Sequence, residues 1–242
     1  MKHRKTPLRV QLPVVLASLL AISSSQAAIT FVNPGLDGTR GYGNVPTGWT
    51  AVPFTATYSE ANNLEGQGPL LMDSTSFGGG YYGNPHSGTT FVGGLYGVSN
   101  QGDIYQQGIQ QTVTGFTVGE QYSFTFFQSV PKYSGGTDDT GSWKVFADGV
   151  LIATTAPTTD TVAWNAAGKT LTWEQRTVTF TATAETINLA FLSFDPDGGG
   201  NTPAERLVMG IDTFSDITPV PEPSVAALGV IGIIGLLRRR RA

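Results

Sequence analysis

Apolar and polar residues alternate with a period of two over most of the chain between Ala28 and Pro219. A period of two places successive side chains on opposite faces of an extended strand, and this segment shows no convincing amphipathic helix pattern. The alternation predicts ten strands, at Ile29–Val32, Trp49–Tyr58, Leu70–Asp73, Ile104–Thr114, Gln121–Val130, Ser142–Ala147, Val150–Thr154, Leu171–Thr183, Thr186–Phe194 and Leu207–Ile217. The pattern therefore predicts an all-β fold.

Two predicted strands carry apolar stripes of the kind that face a core, which are Tyr122, Phe124 and Phe126 in one and Val178, Phe180 and Ala182 in the other. Asp148-Gly149 is a two-residue hairpin signal between two further strands. Trp143 alternates with apolar residues and is predicted to lie in the core. Residues 77–97 contain eight glycines among 21 residues and are predicted to form a long exposed loop.

The body between Ala28 and Pro219 has the length of one β-sandwich domain. It carries six basic and 17 acidic side chains, a net charge of −11, which argues against nucleic acid or anionic lipid as a partner. The chain has no cysteine, so disulfides, thiolate metal sites and thiol catalysis are excluded.

The first 27 residues have the three parts of a signal peptide. A basic start is followed by the apolar run Leu12–Ile22, and Ser25-Gln26-Ala27 places small residues where signal peptidase reads them. We predict cleavage after Ala27. An N-terminal membrane anchor is the alternative, and the shortness of the run argues against it.

The last residues combine a proline-rich hinge, an apolar run and a basic end. The hinge is Val220-Pro221-Glu222-Pro223-Ser224, the run is Val225–Leu237, and the end carries Arg238, Arg239, Arg240 and Arg241. A 13-residue helix reaches only about 20 Å against a hydrocarbon core of about 30 Å, so it is a poor permanent anchor. We expect the arginines to hold the end of the chain in the cytoplasm and to leave the body outside.

These three ordered parts resemble the sorting signal of the PEP-CTERM family of bacterial surface and secreted proteins. The resemblance implies a transient inner-membrane stage, processing by an exosortase near the Pro-Glu-Pro motif, a Gram-negative-type envelope and a link to exopolysaccharide or biofilm. The resulting division is a signal peptide at 1–27, a β-sandwich at 28–219 and a sorting signal with a short hydrophobic helix at 220–242. A simple C-terminal tail anchor is the alternative.

The body resembles jelly-roll, carbohydrate-binding-module-like domains. The matching pieces are Asn33-Pro34-Gly35, Gly48-Trp49-Thr50, Ile109–Val113, Gly119–Tyr122, Trp143-Lys144-Val145, Asp148-Gly149, Val178–Ala182 and Gly210-Ile211-Asp212. The resemblance implies a jelly-roll sandwich and a structural Ca²⁺ near the first and last strands, with Asp212, Asn33 and Asp37 as candidate ligands.

Asp212 is predicted to share a strand face with apolar Val208 and Phe214, where a carboxylate requires a cation or hydrogen bonds. A backbone hydrogen bond or an exposed face is the alternative to Ca²⁺. The segment Asp195–Asn201 fails the EF-hand spacing and is interpreted as an acidic turn. Asp138-Asp139 is interpreted as solvated charge in a loop.

Aromatic rings that stack on sugars, flanked by amides, indicate candidate glycan contacts. Trp173 shares its strand face with Gln175, Thr177 and Thr179, and the candidate contacts are Trp173, Tyr81, Tyr82, Asn84 and Tyr96. In the alternative interpretation, Trp173 caps the core and the tyrosines pack on the sandwich edge.

Catalysis has little support, because His86 is the only histidine of the body and no serine-hydrolase or zinc-protease motif is present. We therefore expect a non-catalytic protein. Its role is either structural, through matrix interactions, or that of a displayed carbohydrate-binding module.

Overall fold

The computed structural model describes residues 28–53, 69–73, 82–98, 104–132, 137–163, 166, 169–197 and 206–221. The predicted signal peptide and the segment Glu222–Ala242 lie outside the described residues. The described part consists of two antiparallel sheets that pack face to face. The predicted all-β sandwich is confirmed.

The first sheet has eight strands. Its strands are β1 (Gly41–Tyr42), β3 (Leu70–Met72), β4 (Phe91–Val98), β5 (Ile104–Gln106), β7 (Gln121–Ser129), β11 (Glu174–Thr181), β13 (Leu207–Asp212) and β14 (Thr218–Pro219). The order is β1-β3-β4-β13-β7-β11, with β5 paired to β4 and β14 paired to β7. The last long strand, β13, thus lies in the middle of the sheet.

The second sheet has six strands. Its strands are β2 (Thr50–Ala51), β6 (Gly108–Thr114), β8 (Thr140–Ala147), β9 (Val150–Thr154), β10 (Thr158–Thr159) and β12 (Thr186–Phe194). The order is β10-β8-β12-β6-β2, and β9 pairs with β8 through the predicted Asp148-Gly149 hairpin. Strand β12 has the bounds that its alternation predicts.

The main core lies between the two sheets. The predicted stripes on β7 and β11 are buried in it, as is Trp143. The Trp143 indole N–H donates to the Gly210 carbonyl on the facing sheet at 3.1 Å, so the largest core side chain leaves no buried donor unpaired.

The glycine-rich segment differs from the prediction. Residues 91–98 form the buried strand β4, paired with both β3 and β13, so the predicted exposed loop is wrong there. The glycines serve packing: a Cβ on Gly94 would lie 2.8 Å from the Gln107 carbonyl and from the Trp143 ring. Glycine here permits close approach of neighbouring groups within a strand.

The predicted strand Ile104–Thr114 is two strands in different sheets. Strand β5 pairs with β4 in the first sheet, and β6 pairs with β12 in the second. The chain changes sheets at Gln107, whose N–H donates to Leu95 in one sheet and whose carbonyl accepts the Ser193 N–H of the other. A segment that the sequence pattern predicts as one strand therefore connects the two layers.

Candidate functional site

The outer face of the first sheet, on the side away from the main core, is apolar over β3, β4 and β13. We call its buried side chains the outer cluster, which comprises Leu70, Met72, Tyr82, Phe91, Leu95, Leu171 and Val208, with Trp173 packed against it. Tyr82 and Leu171 lie outside the strands. The sheet face is thus covered by two chain segments, one near Leu171 and one that comprises residues 82–90 and is here called the covering segment.

Asp212 holds the covering segment to the sheet. It is fully buried, and its Oδ2 accepts the backbone N–H of His86 at 2.8 Å and of Ser87 at 3.1 Å. Its Oδ1 accepts the N–H of Thr213 at 2.7 Å. Burial raises the pKa of Asp212 to about 7, while the three N–H donors act in the opposite direction.

The residue after Asp212 ends the strand. Thr213 has φ = +50°, a left-handed conformation that breaks the alternation. Phe214 therefore enters the main core, whereas Val208 packs in the outer cluster. The predicted shared face of Asp212 and Phe214 is wrong for this reason, and the prediction for Val208 is confirmed.

Asp37 also holds the covering segment, through hydrogen bonds from Thr89. Its Oδ1 accepts the Thr89 N–H at 2.6 Å and the Thr89 hydroxyl at 2.8 Å, and these hydrogen bonds lower the pKa of Asp37. Asn33 orients this turn, because its Nδ2 donates to the Asp37 carbonyl and its Oδ1 accepts the Asp37 N–H. Asp37 and Asp212 thus bind residues 86–89 through N–H and O–H donors. Ca²⁺ at Asp212, Asn33 and Asp37 stays a prediction.

Trp173 is half-buried at the border of the outer cluster. Its indole N–H donates to the Asn84 carbonyl at 3.0 Å, and its ring meets Phe91 edge-on at 5.4 Å. The His86 ring lies 6.2 Å from Trp173 and stacks on Phe127 at 3.6 Å between ring centroids. His86 is exposed, and its Nδ1 lies 3.0 Å from the Thr213 hydroxyl. These rings form an aromatic border beside the covering segment.

Beyond this border the outer face of β7 and β11 is polar. We call it the polar strip, which comprises Ser123, Thr125, Gln175, Thr177 and Thr179. Gln175 Nε2 donates to the Thr125 hydroxyl at 3.2 Å. The predicted placement of Gln175, Thr177 and Thr179 opposite the buried Val178–Phe180 stripe is confirmed, because these three side chains are exposed.

The candidate glycan contacts that the structure describes do not lie together at one site. Asn84 is exposed beside Trp173, whereas Tyr82 is buried in the outer cluster. Tyr96 packs half-buried against the main core, with its ring 5.9 Å from Phe194, on the other face of the sheet. Tyr81 lies outside the described residues.

The sequence pattern alone did not indicate Phe127 and Thr125, of which Phe127 stacks on His86 and Thr125 accepts a hydrogen bond from Gln175. Phe127 directly follows the core residue Phe126, so it must lie on the opposite face of β7. The cross-strand register then places Phe127 opposite Gln175, and Thr125 opposite Thr177. The adjacent phenylalanines were the signal that an aromatic ring lies on the outer face.

The described chain ends along β7. Thr218 and Pro219 pair with this strand, and the Val220 N–H donates to the Gln121 carbonyl at 2.8 Å. Of the predicted sorting motif, Val220 and Pro221 are described, and Glu222, Pro223, Ser224 and Arg238–Arg241 lie outside the described residues. The described ranges contain no helix with the length and hydropathy that a bilayer span requires.

No protein-family profile matches the chain, and no curated protein sequence matches it. Among solved structures, the C-terminal domain of EclA, a sugar-binding protein, is 22% identical with a TM-score of 0.30, over 45% of this chain and 64% of that chain, which is less than two thirds of its length. The K2 cleaved adhesin domain of Lys-gingipain is 16% identical over 81% of this chain and 97% of that chain, with a TM-score of 0.44.

A family 35 carbohydrate-binding module from an environmental isolate is 15% identical over 69% of this chain and 98% of that chain, with a TM-score of 0.39. Other neighbours are enzymes, among them a cyclase. Similarities at this level add no argument about ligand or reaction, and the fold stands on the strand pairing described above.

Proposed function

We propose that the chain is an exported, non-catalytic protein of the cell surface or extracellular matrix, with a structural or interaction role linked to exopolysaccharide. In this proposal signal peptidase cleaves after Ala27, the C-terminal segment holds the chain transiently in the inner membrane, and an exosortase-type enzyme processes it near Pro221-Glu222-Pro223. The ordered hinge, apolar run and arginine block support the sorting part.

The state of Trp173 carries the proposal for the body. Its ring packs against the outer cluster, and its N–H is bonded to the carbonyl of Asn84. An indole held in this way fastens the covering segment and offers only part of its surface to a sugar. This arrangement favours a structural or interaction role over a glycan site centred on Trp173.

A displayed carbohydrate-binding module is the second candidate, and the polar strip favours it. Hydroxyls and amides can exchange hydrogen bonds with sugar hydroxyls, and the exposed His86 ring on Phe127 offers an aromatic border for C–H groups. The ligand of this second candidate is a polysaccharide, and the surface that contacts it is the polar strip with His86.

The sorting proposal is tested by intact-mass measurement on protein from the envelope and from the medium. We expect a mature form that begins at Ala28 and lacks Arg238–Arg241. A mature population that keeps the full C-terminus would contradict the proposal, whether or not an exosortase is present.

The carbohydrate proposal is tested by affinity electrophoresis of the exported protein in gels that contain polysaccharide. His86→Ala and Gln175→Ala should each weaken retention about tenfold, since each removes roughly 1.4 kcal/mol of stacking or hydrogen bonding. Thr186→Ala, at the exposed first residue of β12 in the second sheet, is the matched control and should leave retention unchanged. If no polysaccharide tested retards the unsubstituted protein, the carbohydrate-binding function is excluded and the structural role remains.

A further inference from the structure

Three carboxylates from two distant parts of the sequence meet at one end of the second sheet. Asp138 comes two residues before β8, and Asp195 directly follows β12. These strands are paired, with Phe194 opposite Ser142, so the end of one lies beside the start of the other. One carboxylate oxygen from each of Asp138, Asp195 and Asp197 lies within 4.8 Å of the others. We call these three residues the carboxylate cluster.

The cluster contains buried oxygens that lack a protein partner. Asp195 is only 3% exposed; its Oδ1 accepts the Asp197 N–H at 3.1 Å, and its buried Oδ2 has no hydrogen-bond donor among the described residues. Asp138 repeats the arrangement, because its Oδ1 accepts the Thr140 N–H at 3.0 Å and its Oδ2 is likewise buried without a described donor. One oxygen of each carboxylate is thus held by a backbone N–H, while the other faces the neighbouring carboxyl groups, where a shared proton or a cation must pair it.

The charges around Asp195 add to the cost of burial. Burial, together with the neighbouring Asp197 and Asp138, raises the pKa of Asp195 to about 8. Burial also raises the pKa of Asp138. Buried charges in proteins are paired with an opposite charge or coordinate a metal. The prediction that Asp138 is solvated loop charge is therefore wrong, and Asp195 is more than the acidic turn its local sequence indicates.

We infer that Asp138, Asp195 and Asp197 form a Ca²⁺ site, separate from the Ca²⁺ predicted at Asp212. Carboxylate oxygens are the hard ligands that Ca²⁺ and Mg²⁺ prefer. Ca²⁺ takes about six to eight oxygen ligands in a flexible geometry, whereas Mg²⁺ requires near-ideal octahedral geometry, keeps several waters and is usually bound by only one or two carboxylates. Three converging carboxylates therefore fit Ca²⁺ better than Mg²⁺, with water completing the shell on the side of the exposed Asp197.

The sequence pattern does not predict this site, because its ligands flank two strands that are far apart in the sequence. The segment after β12 was compared with a contiguous calcium loop and failed that comparison, since the third carboxylate comes from before β8. Only the register of β8 with β12 brings Asp138 to Asp195.

The test measures the melting temperature of the exported protein in EDTA, in CaCl₂ and in MgCl₂. At a Ca²⁺ concentration about 100 times its dissociation constant, we expect the Tm to rise by roughly 5–10 °C relative to EDTA. Asp195→Asn and Asp138→Asn should lose this rise. Asp139→Asn, next to the cluster but outside it, is the matched control and should keep it.

The Tm in EDTA distinguishes a variant that fails to fold from one that only fails to bind Ca²⁺. In EDTA, Asp195→Asn should melt no lower than the unsubstituted protein, because the substitution removes repulsion between neighbouring carboxylates. No rise in Tm with Ca²⁺ in the unsubstituted protein would overturn the inference. A rise in Asp195→Asn equal to that of Asp139→Asn would also overturn it, as would an equal response of the unsubstituted protein to MgCl₂.

Discussion

Asp212 and Asp195 are two buried carboxylates at the ends of central strands, and their surroundings differ. Burial raises the pKa of Asp212 to about 7 and that of Asp195 to about 8. Asp212 accepts three backbone N–H groups, whereas Asp195 accepts one and lies beside two further carboxylates. Two aspartates at similar depth therefore differ in role: Asp212 anchors the covering segment through hydrogen bonds, and Asp195 is a candidate ion ligand.

A third buried carboxylate, Asp160, is paired with an ammonium group. Its Oδ2 lies 3.3 Å from the Lys169 ammonium, which is fully buried and also donates to the Pro131 carbonyl. The described part of the chain thus contains acids paired with N–H donors, with an ammonium group, and with other acids. Substitutions at each place measure how much these partners contribute.

The largest effect is expected for Lys169→Met. It leaves Asp160 buried without its counter-ion, and breaking a buried pair on one side lowers the free energy of unfolding by about 4 kcal/mol. Urea unfolding measures the change. Arg40→Met, which breaks the exposed pair with Asp73, is the control and should cost less than about 1 kcal/mol. Equal losses in the two variants would contradict the distinction between buried and exposed pairs.

A loss of about 3 kcal/mol is expected for Asp212→Ala, because three partly buried N–H donors lose their acceptor. Asp37→Ala removes an exposed acceptor from the same covering segment and should cost only about 1 kcal/mol. Urea unfolding ranks the two variants, and hydrogen exchange at His86 and Ser87 should accelerate in Asp212→Ala. Unchanged exchange at these amides would show that Asp212 does not fasten the segment.

The smallest effect has the opposite sign. In excess EDTA, Asp195→Asn should raise the free energy of unfolding by about 1 kcal/mol, since a neutral amide avoids the cost of burying a carboxyl group with a raised pKa. Asp139→Asn should change it by less than about 0.5 kcal/mol. If Asp195→Asn is destabilising in EDTA, then an unseen protein partner satisfies this carboxylate and the comparison with Asp212 fails.

The fold was predictable where alternation is uninterrupted. Strand β12 and the stripes on β7 and β11 follow directly from period-two spacing, and they are buried as predicted. The prediction failed where glycine composition was interpreted as exposure, because Gly94 permits close packing in β4. It also failed at Thr213, where one positive φ angle moves Phe214 into the core.

The candidate sites were predictable only in part. The face that Trp173 shares with Gln175 follows from alternation within one strand, but the pairing of Trp173 with Asn84 depends on how the covering segment crosses the sheet. The carboxylate cluster depends on the register between β8 and β12, which local spacing does not contain. The pattern of residues along the sequence therefore does not predict which residues of different strands come into contact.

The most direct test of the contrast between Asp195 and Asp212 is the number of Ca²⁺ ions bound per chain, measured by equilibrium dialysis of the exported protein. Asp195→Asn should bind one ion fewer than the unsubstituted protein, and Asp212→Asn should keep the ion that Asp195→Asn loses. Full Ca²⁺ binding by Asp195→Asn would contradict the account.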